Sequence, residues 1–201
     1  HPFSDTKALN AEGVRVITRA EGVYVFDSEG NRILDGMSGL WCSQVGHGRR
    51  AIVDAIATQL HQLDYYNTFF KTTHPGAAEL AAAISDVAPA HMNHVFFTSG
   101  GSEAVDTVLR MVRHYWAAMG KPEKSIFISR RNGYHGSPLG GASLGGMKPM
   151  HAQGGLPIPG IIHVAQPYWW AEGGEMGREE FGLYAAREVA RAIDAAGPEK
   201  V

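Results

Sequence analysis

Two short clusters carry most of the chemistry in this sequence. Ser99-Gly100-Gly101-Ser102 follows an apolar run at 94–98. It precedes a helix pattern in which Val105, Val108, Leu109, Val112, Tyr115 and Trp116 recur at i, i+3, i+4 and i+7 spacing. Strand, glycine turn and helix together can hold an anion. Glycine lets the backbone turn sharply and approach a ligand. The first N–H groups of a helix have no internal partner, and the dipole adds partial positive charge there, so a phosphate is a natural guest. A turn that needs glycine and binds nothing reads the same residues equally well. The second cluster, Gly133-Tyr134-His135-Gly136, ends the next strand pattern. In open α/β sheets ligands gather beyond the carboxyl ends of the strands, which puts this tetrapeptide near residues 99–102. There a tyrosine ring could lie on a flat cofactor, and His135 could donate a hydrogen bond or titrate. Alone, the pair reads more readily as a Tyr-His turn that binds nothing.

Other chemistries fit less well. GxGxxG is absent and Asp106 falls inside the helix, away from the strand end where a ribose would need an acid. An NAD-linked dehydrogenase therefore lacks its fingerprint. No lysine of the Walker type follows the glycine turn. His91 and His94 straddle a strand entrance and HExxH is missing, so no metal site is expected. GxSxG does not occur, which leaves a Ser-His-Asp triad unsupported.

The elements that must position these clusters follow from periodicity. Residues 1–10 read as a short polar segment with Phe3 as anchor, and 14–34 as a small antiparallel unit, 23–26 and 32–34 flanking the turn 27–31. Residues 36–48 are irregular around Leu40-Trp41-Cys42, where a tryptophan gains most from burial. Helices are predicted over 50–63 and from Pro75 to the residues before Pro89. The run 94–98 reads as a buried strand, 125–129 as a second and 161–164 as a third. The first two with the helix between them make a βαβ unit, whose crossover should be right-handed. Residues 132–155 read as a long glycine-rich loop of functional character, and 179–196 as a last helix. Alternation of this kind predicts an α/β fold with a mostly parallel sheet.

Composition sets the class. The 201 residues are 44% hydrophobic and 19% charged with a formal net charge of −2, which gives no support for nucleic-acid or anionic-membrane binding. A single cysteine, Cys42, excludes an internal disulfide and fits a reducing, cytoplasmic compartment. No apolar run approaches the length of a membrane-spanning helix, and no secretory leader is visible. The first residue is His1, and a strand pattern begins at Val201, so a piece of a longer protein is expected.

With these residues assembled, the chain resembles the class III (ω-) aminotransferases of the fold type I pyridoxal-phosphate (PLP) enzymes, and among them the pyruvate-linked amine and polyamine aminotransferases. The resemblance runs through RAEGVYVFDSEGNRILDGMSGLWCSQVGHG, NHVFFTSGGSEAVDTVLRMVRHYW, RNGYHGS, GGLPIPGIIHVAQPYWW and EEFGLYAAR. It implies a doubly wound, mostly parallel sheet, incomplete here, with a small N-terminal α+β segment. Residues 1–48 would contribute to the small domain and substrate pocket, and 49–201 would form the first part of the large PLP-binding domain. The N–H groups of Gly101 and Ser102 with the Ser102 hydroxyl would hold the cofactor phosphate, Tyr134 would stack on the pyridine ring, and His135 would support the ring or its O3′ side. Leu40 and Trp41 would wall the substrate pocket, joined by Phe3, and the aromatic run 66–70 would lie near the interface of a homodimer or dimer of dimers.

The chain departs from the family pattern twice. Gly100 stands where the family has serine, leaving Ser99 as the nearest hydroxyl on that side, and Pro149 stands where close relatives often carry a pocket tyrosine. The implied reaction moves an amino group from an amine or ω-amino acid to pyruvate or another keto acid, ping-pong through pyridoxamine phosphate. It needs a Schiff-base lysine and an acid paired with the pyridinium nitrogen. In the family both lie downstream of the matched region, and none of Lys7, Lys71, Lys121, Lys124, Lys148 or Lys200 sits in the lysine motif. Racemase, decarboxylase or aminomutase chemistry on the same scaffold, and a non-catalytic PLP-binding or dimerising fragment, remain alternatives.

Overall fold

The computed structural model describes residues 3–201; His1 and Pro2, the start of the polar N-terminal segment, lie outside the described residues. The chain divides into two compact units, His1–Asn93 and His94–Val201.

In the first unit the N-terminal segment is partly helical, which its polarity concealed. Helix α1 (Thr6–Glu12) starts because the Asp5 carboxylate accepts the N–H groups of Lys7 and Ala8, satisfying donors that a helix start leaves free. The antiparallel unit is a three-stranded meander, β1 (Ile17–Glu21), β2 (Tyr24–Asp27) and β3 (Arg32–Leu34), with Val25 opposite Ile33 and Glu21 opposite Tyr24. Its tight turn is organised by Asp27, whose buried carboxylate accepts the N–H groups of Glu29 and Asn31 and the Asn31 side-chain amide at 2.9–3.1 Å. The Asn31 side-chain bond, aided by the backbone bonds, holds the Asp27 carboxyl below its ordinary value of 3.8. Arg19 and Arg32 lie 3.6 Å over the rings of Phe26 and Tyr24, cation–π contacts that cover the aromatic positions of β2.

The irregular stretch that follows holds one distorted turn, α2 (Ser38–Trp41), with positive φ at Ser38, Leu40 and Trp41. Trp41 is not the packing anchor its size predicts: it is 79% exposed, since nothing in the described residues covers this turn. His47 and Asp35 close the segment at 2.9 Å, and that contact holds the Asp35 carboxyl below 3.8. Helices α3 (Arg50–Gln62) and α4 (Pro75–Val87) match their predicted spans, the second opening on proline and capped by the His74 ring.

In the second unit the run 94–98 is not a buried strand. It belongs to no ladder, and Phe96 is 71% exposed. An extended run becomes a strand only when a neighbour takes its N–H and C=O groups, and no described strand lies beside it. Helix α5 (Gly101–Ala118) follows, burying Leu109. Parallel pairing occurs instead between β4 (Phe127–Arg130) and β5 (Ile161–Val164), with Phe127 opposite Ile161 and Arg130 opposite Val164. Arg113 ties α5 to the entrance of both strands by donating to the carbonyls of Ser125 and Pro159.

The glycine-rich stretch between the strands is not one open loop. It forms α6 (Leu139–Leu144) and α7 (Lys148–His151), and α6 is largely buried. Its glycines conceal it from periodicity, because the contacts that satisfy its ends come from distant residues. The short α8 (Trp169–Glu172) and the long α9 (Arg178–Ala196) complete the unit, and α9 packs on β4 and β5 with Phe181 and Ala185 buried. After α9 the chain returns to the start of β4, where the Lys200 carbonyl accepts from the N–H groups of Ser125 and Ile126.

Candidate cofactor site

The start of α5 is built by its own first turn. Gly100 is the N-cap and contributes no side chain, so the residues around it take over. The Glu103 carboxylate reaches back to the Ser99 N–H at 2.8 Å, and the Thr98 hydroxyl donates to the Gly100 carbonyl at 3.0 Å. This reach-back is a capping box shifted by one residue, since it satisfies the N–H just before the N-cap. It fixes the entry of the chain and leaves the N–H groups of Gly101 and Ser102 at the open end of the helix. A Cβ built on Gly100 or Gly101 would meet nothing within 4 Å, so the space in front of the turn is free.

Tyr134 and His135 arrive from the carboxyl end of β4. The bend that delivers them is tied back on itself: Gly133 donates to the Arg130 carbonyl and Gly146 to the Gly133 carbonyl. At Gly136 the loop meets the helix. A Cβ there would stand 2.6 Å from the Ser102 hydroxyl oxygen and 2.9 Å from its Cα, and φ is +128°. Only glycine combines that backbone with that approach. The contact places the tetrapeptide 133–136 directly against the first turn of α5. Tyr134 is 56% exposed, and its hydroxyl lies 3.5 Å from that of Ser137.

The structure thus brings Gly100, Gly101, Ser102, Tyr134 and His135 into one locality of the second unit. Phe3, Leu40 and Trp41 belong to the first unit, where all three are exposed. Pro149 lies in α7 and is exposed. Among the described residues no three His, Cys, Asp or Glu side chains converge as metal ligands, and no helix is long and apolar enough to cross a membrane.

The class-III aminotransferase family model matches residues 7–196. This chain belongs to the class-III aminotransferase family. It is 60% identical over 200 residues to the putrescine–pyruvate aminotransferase of Pseudomonas aeruginosa, covering 100% of this chain and 44% of that protein. It is 39% identical over 189 residues to the mitochondrial γ-aminobutyrate transaminase 1 of Oryza sativa subsp. japonica, covering 92% of this chain and 36% of the relative. The ω-transaminase of Pseudomonas jessenii in complex with PMP superposes with a TM-score of 0.95 at 37% identity, over 100% of this chain and 45% of that one. The (S)-enantioselective ω-transaminase of Thermomicrobium roseum gives 0.94 at 37% identity over the same shares. The chain spans less than half the length of these relatives. These likenesses establish the fold type I class-III aminotransferase fold, of which the β4–β5 pair and its flanking helices are a part.

Class-III aminotransferases are PLP enzymes, and the residues present fit that group. An exposed helix start suits a phosphate monoester. The free space before Gly100 and Gly101 admits it, and an exposed tyrosine ring on the adjoining loop suits a flat heteroaromatic ring. Sequence reasoning named Gly136 and Glu103 only as members of their motifs, and missed the contact of the first, the reach-back of the second and the structural use of Asp106. A Gly closing the Tyr-His turn and a Glu three residues after the N-cap were the signals for the first two.

Proposed function

We propose that this chain is the N-terminal part of a PLP-dependent aminotransferase that moves an amino group from a diamine or other amine to pyruvate or a related keto acid. The observation that carries the reading is the contact of Gly136 with Ser102, which joins an anion-binding helix start to an aromatic loop. The 60% identity to a putrescine–pyruvate aminotransferase across the whole chain supports diamine donors and pyruvate as acceptor.

In this reading the N–H groups of Gly101 and Ser102 and the Ser102 hydroxyl hold the phosphate, Tyr134 stacks on the ring and His135 supports its edge. Bound PLP supplies an electron sink that lets an amino group leave one substrate and join another. The chain's own residues orient the ring and exclude water from one of its faces. Leu40, Trp41 and Phe3 wall the amine pocket, a role that agrees with their exposure. The exposed aromatics Tyr66, Phe69 and Phe70 support a face covered by a second subunit in a dimer. In the whole enzyme residues 1–48 serve the small domain and 49–201 the large one. The free thiol of Cys42 supports a reducing, cytoplasmic setting.

The test is a coupled assay of the complete enzyme with putrescine and pyruvate, reading alanine. Turnover that does not depend on a keto acid would sink the transaminase reading in favour of racemase, decarboxylase or aminomutase chemistry. Tyr134→Ala is expected to weaken PLP binding about tenfold, read as the dissociation constant of the apoenzyme; unchanged affinity removes the assigned role.

A further inference from the structure

Helix α6 has six residues and an N-cap, Pro138, that carries no side-chain acceptor. Its third residue, Gly141, nevertheless donates its N–H to Asp106 Oδ1 at 2.6 Å, across 35 positions of sequence. The carboxylate therefore does for α6 what an N-cap side chain usually does, and it does so from the second turn of α5. The fit leaves no room for play. A Cβ on Gly140 would stand 2.7 Å from Asp106 Oδ1, and one on Gly141 would stand 2.7 Å from the His135 carbonyl oxygen. Gly136, Gly140 and Gly141 are all buried. The far end of α6 is held just as firmly. His151 Nε2 lies 2.8 Å from the Gly145 carbonyl and His163 Nε2 lies 3.2 Å from that of Leu144. Both rings donate from that nitrogen. So α6 is held at both ends, and a charge-assisted bond ties its start to α5.

The geometry points to Asp106 as the positioning residue that sets the Tyr134-His135 loop over the first turn of α5. Through Gly141 the carboxylate fixes α6. Through the Gly141–His135 and Gly136–Ser102 approaches, α6 presses the loop onto the helix start. Asp106 touches no cofactor atom in this scheme. It decides where the stacking ring stands relative to the phosphate. The inference rests on reading residues 100–102 as the phosphate site.

The experiment uses the complete enzyme as apoprotein. Asp106→Ala is expected to raise the PLP dissociation constant about tenfold or more, because it leaves the buried Gly141 N–H without an acceptor. It should also change the visible circular dichroism of the bound cofactor and lower kcat, with the amine KM within about threefold. Asp106→Asn keeps an acceptor and should restore affinity to within about threefold. Ser102→Ala, measured alongside, separates the two readings. If Ser102→Ala leaves PLP binding untouched, the phosphate site itself is wrong. If Ser102→Ala weakens binding while Asp106→Ala lowers only the melting temperature, the positioning role is overturned. Should Asp106→Ala fail to fold, Asp106→Glu takes its place. It keeps the charge and displaces the acceptor, so a loss of PLP affinity of about fivefold or more supports the role, and unchanged affinity and dichroism overturn it.

Discussion

Two glycines near the same helix start are glycine for different reasons, and the difference can be measured. Gly136 has φ +128° and a Cβ there would lie 2.6 Å from the Ser102 hydroxyl oxygen. Gly136→Ala is therefore expected to cost about 1–3 kcal/mol in denaturant unfolding of the complete enzyme and to loosen PLP. Gly100 has φ −178°, an extended backbone open to any residue, and a Cβ would meet nothing within 4 Å. Gly100→Ser, which restores the family's serine, should fold at least as well as the parent and hold PLP as tightly or up to about threefold more tightly. A loss of stability in Gly100→Ser would show that the free space before the turn is not free.

At the scale of elements, the β2–β3 turn is the part of the first unit with the clearest acid response. The Asp27 carboxylate is ordered by Asn31 and held below 3.8. A depressed folded value means that its contribution is complete above the ordinary value and is lost as the pH falls below it. Urea midpoints of parent and Asp27→Asn enzymes should therefore differ most near neutrality, with the gap closing between about pH 5 and pH 3. A gap that stays constant with pH would remove the ionised carboxylate from the account. In the second unit, Phe181 of α9 is 2% exposed. Phe181→Ala should cost about 3–5 kcal/mol, far more than Leu183→Ala on the exposed face of the same helix, and thermal melts of the two variants compare them directly.

For the whole molecule, the distribution of apolar surface matters most. The buried apolar residues among those described, Leu109, Ala142, Met150, Val164, Ala165, Phe181 and Ala185, all lie in the second unit. Ile52, Ile56, Leu60, Phe69, Phe70 and Phe96 stay exposed. Apolar area of this extent marks contact surface, in keeping with a chain that spans 44% of its putrescine–pyruvate relative. Borohydride reduction of the complete enzyme with bound PLP, followed by peptide mapping, is expected to label a lysine outside these 201 residues. A label on Lys71, Lys121 or Lys148 would overturn the proposed division of the site.

Much of this was legible in the chain itself. Helices α3, α4, α5 and α9 and strand β5 follow from periodicity, because an amphipathic or apolar run needs only its own residues to announce itself. The two clusters 99–102 and 133–136 were legible for the same local reason. Structure decided what depends on a neighbour. The run 94–98 has strand composition, yet no strand among the described residues lies beside it, so it does not pair. Helix α6 has glycine composition yet forms, because Asp106 and His163 from afar, with His151 from the next helix, satisfy its ends. Composition specifies what a segment can do with its own backbone, and only tertiary contact supplies the hydrogen-bond partner that lets it do so.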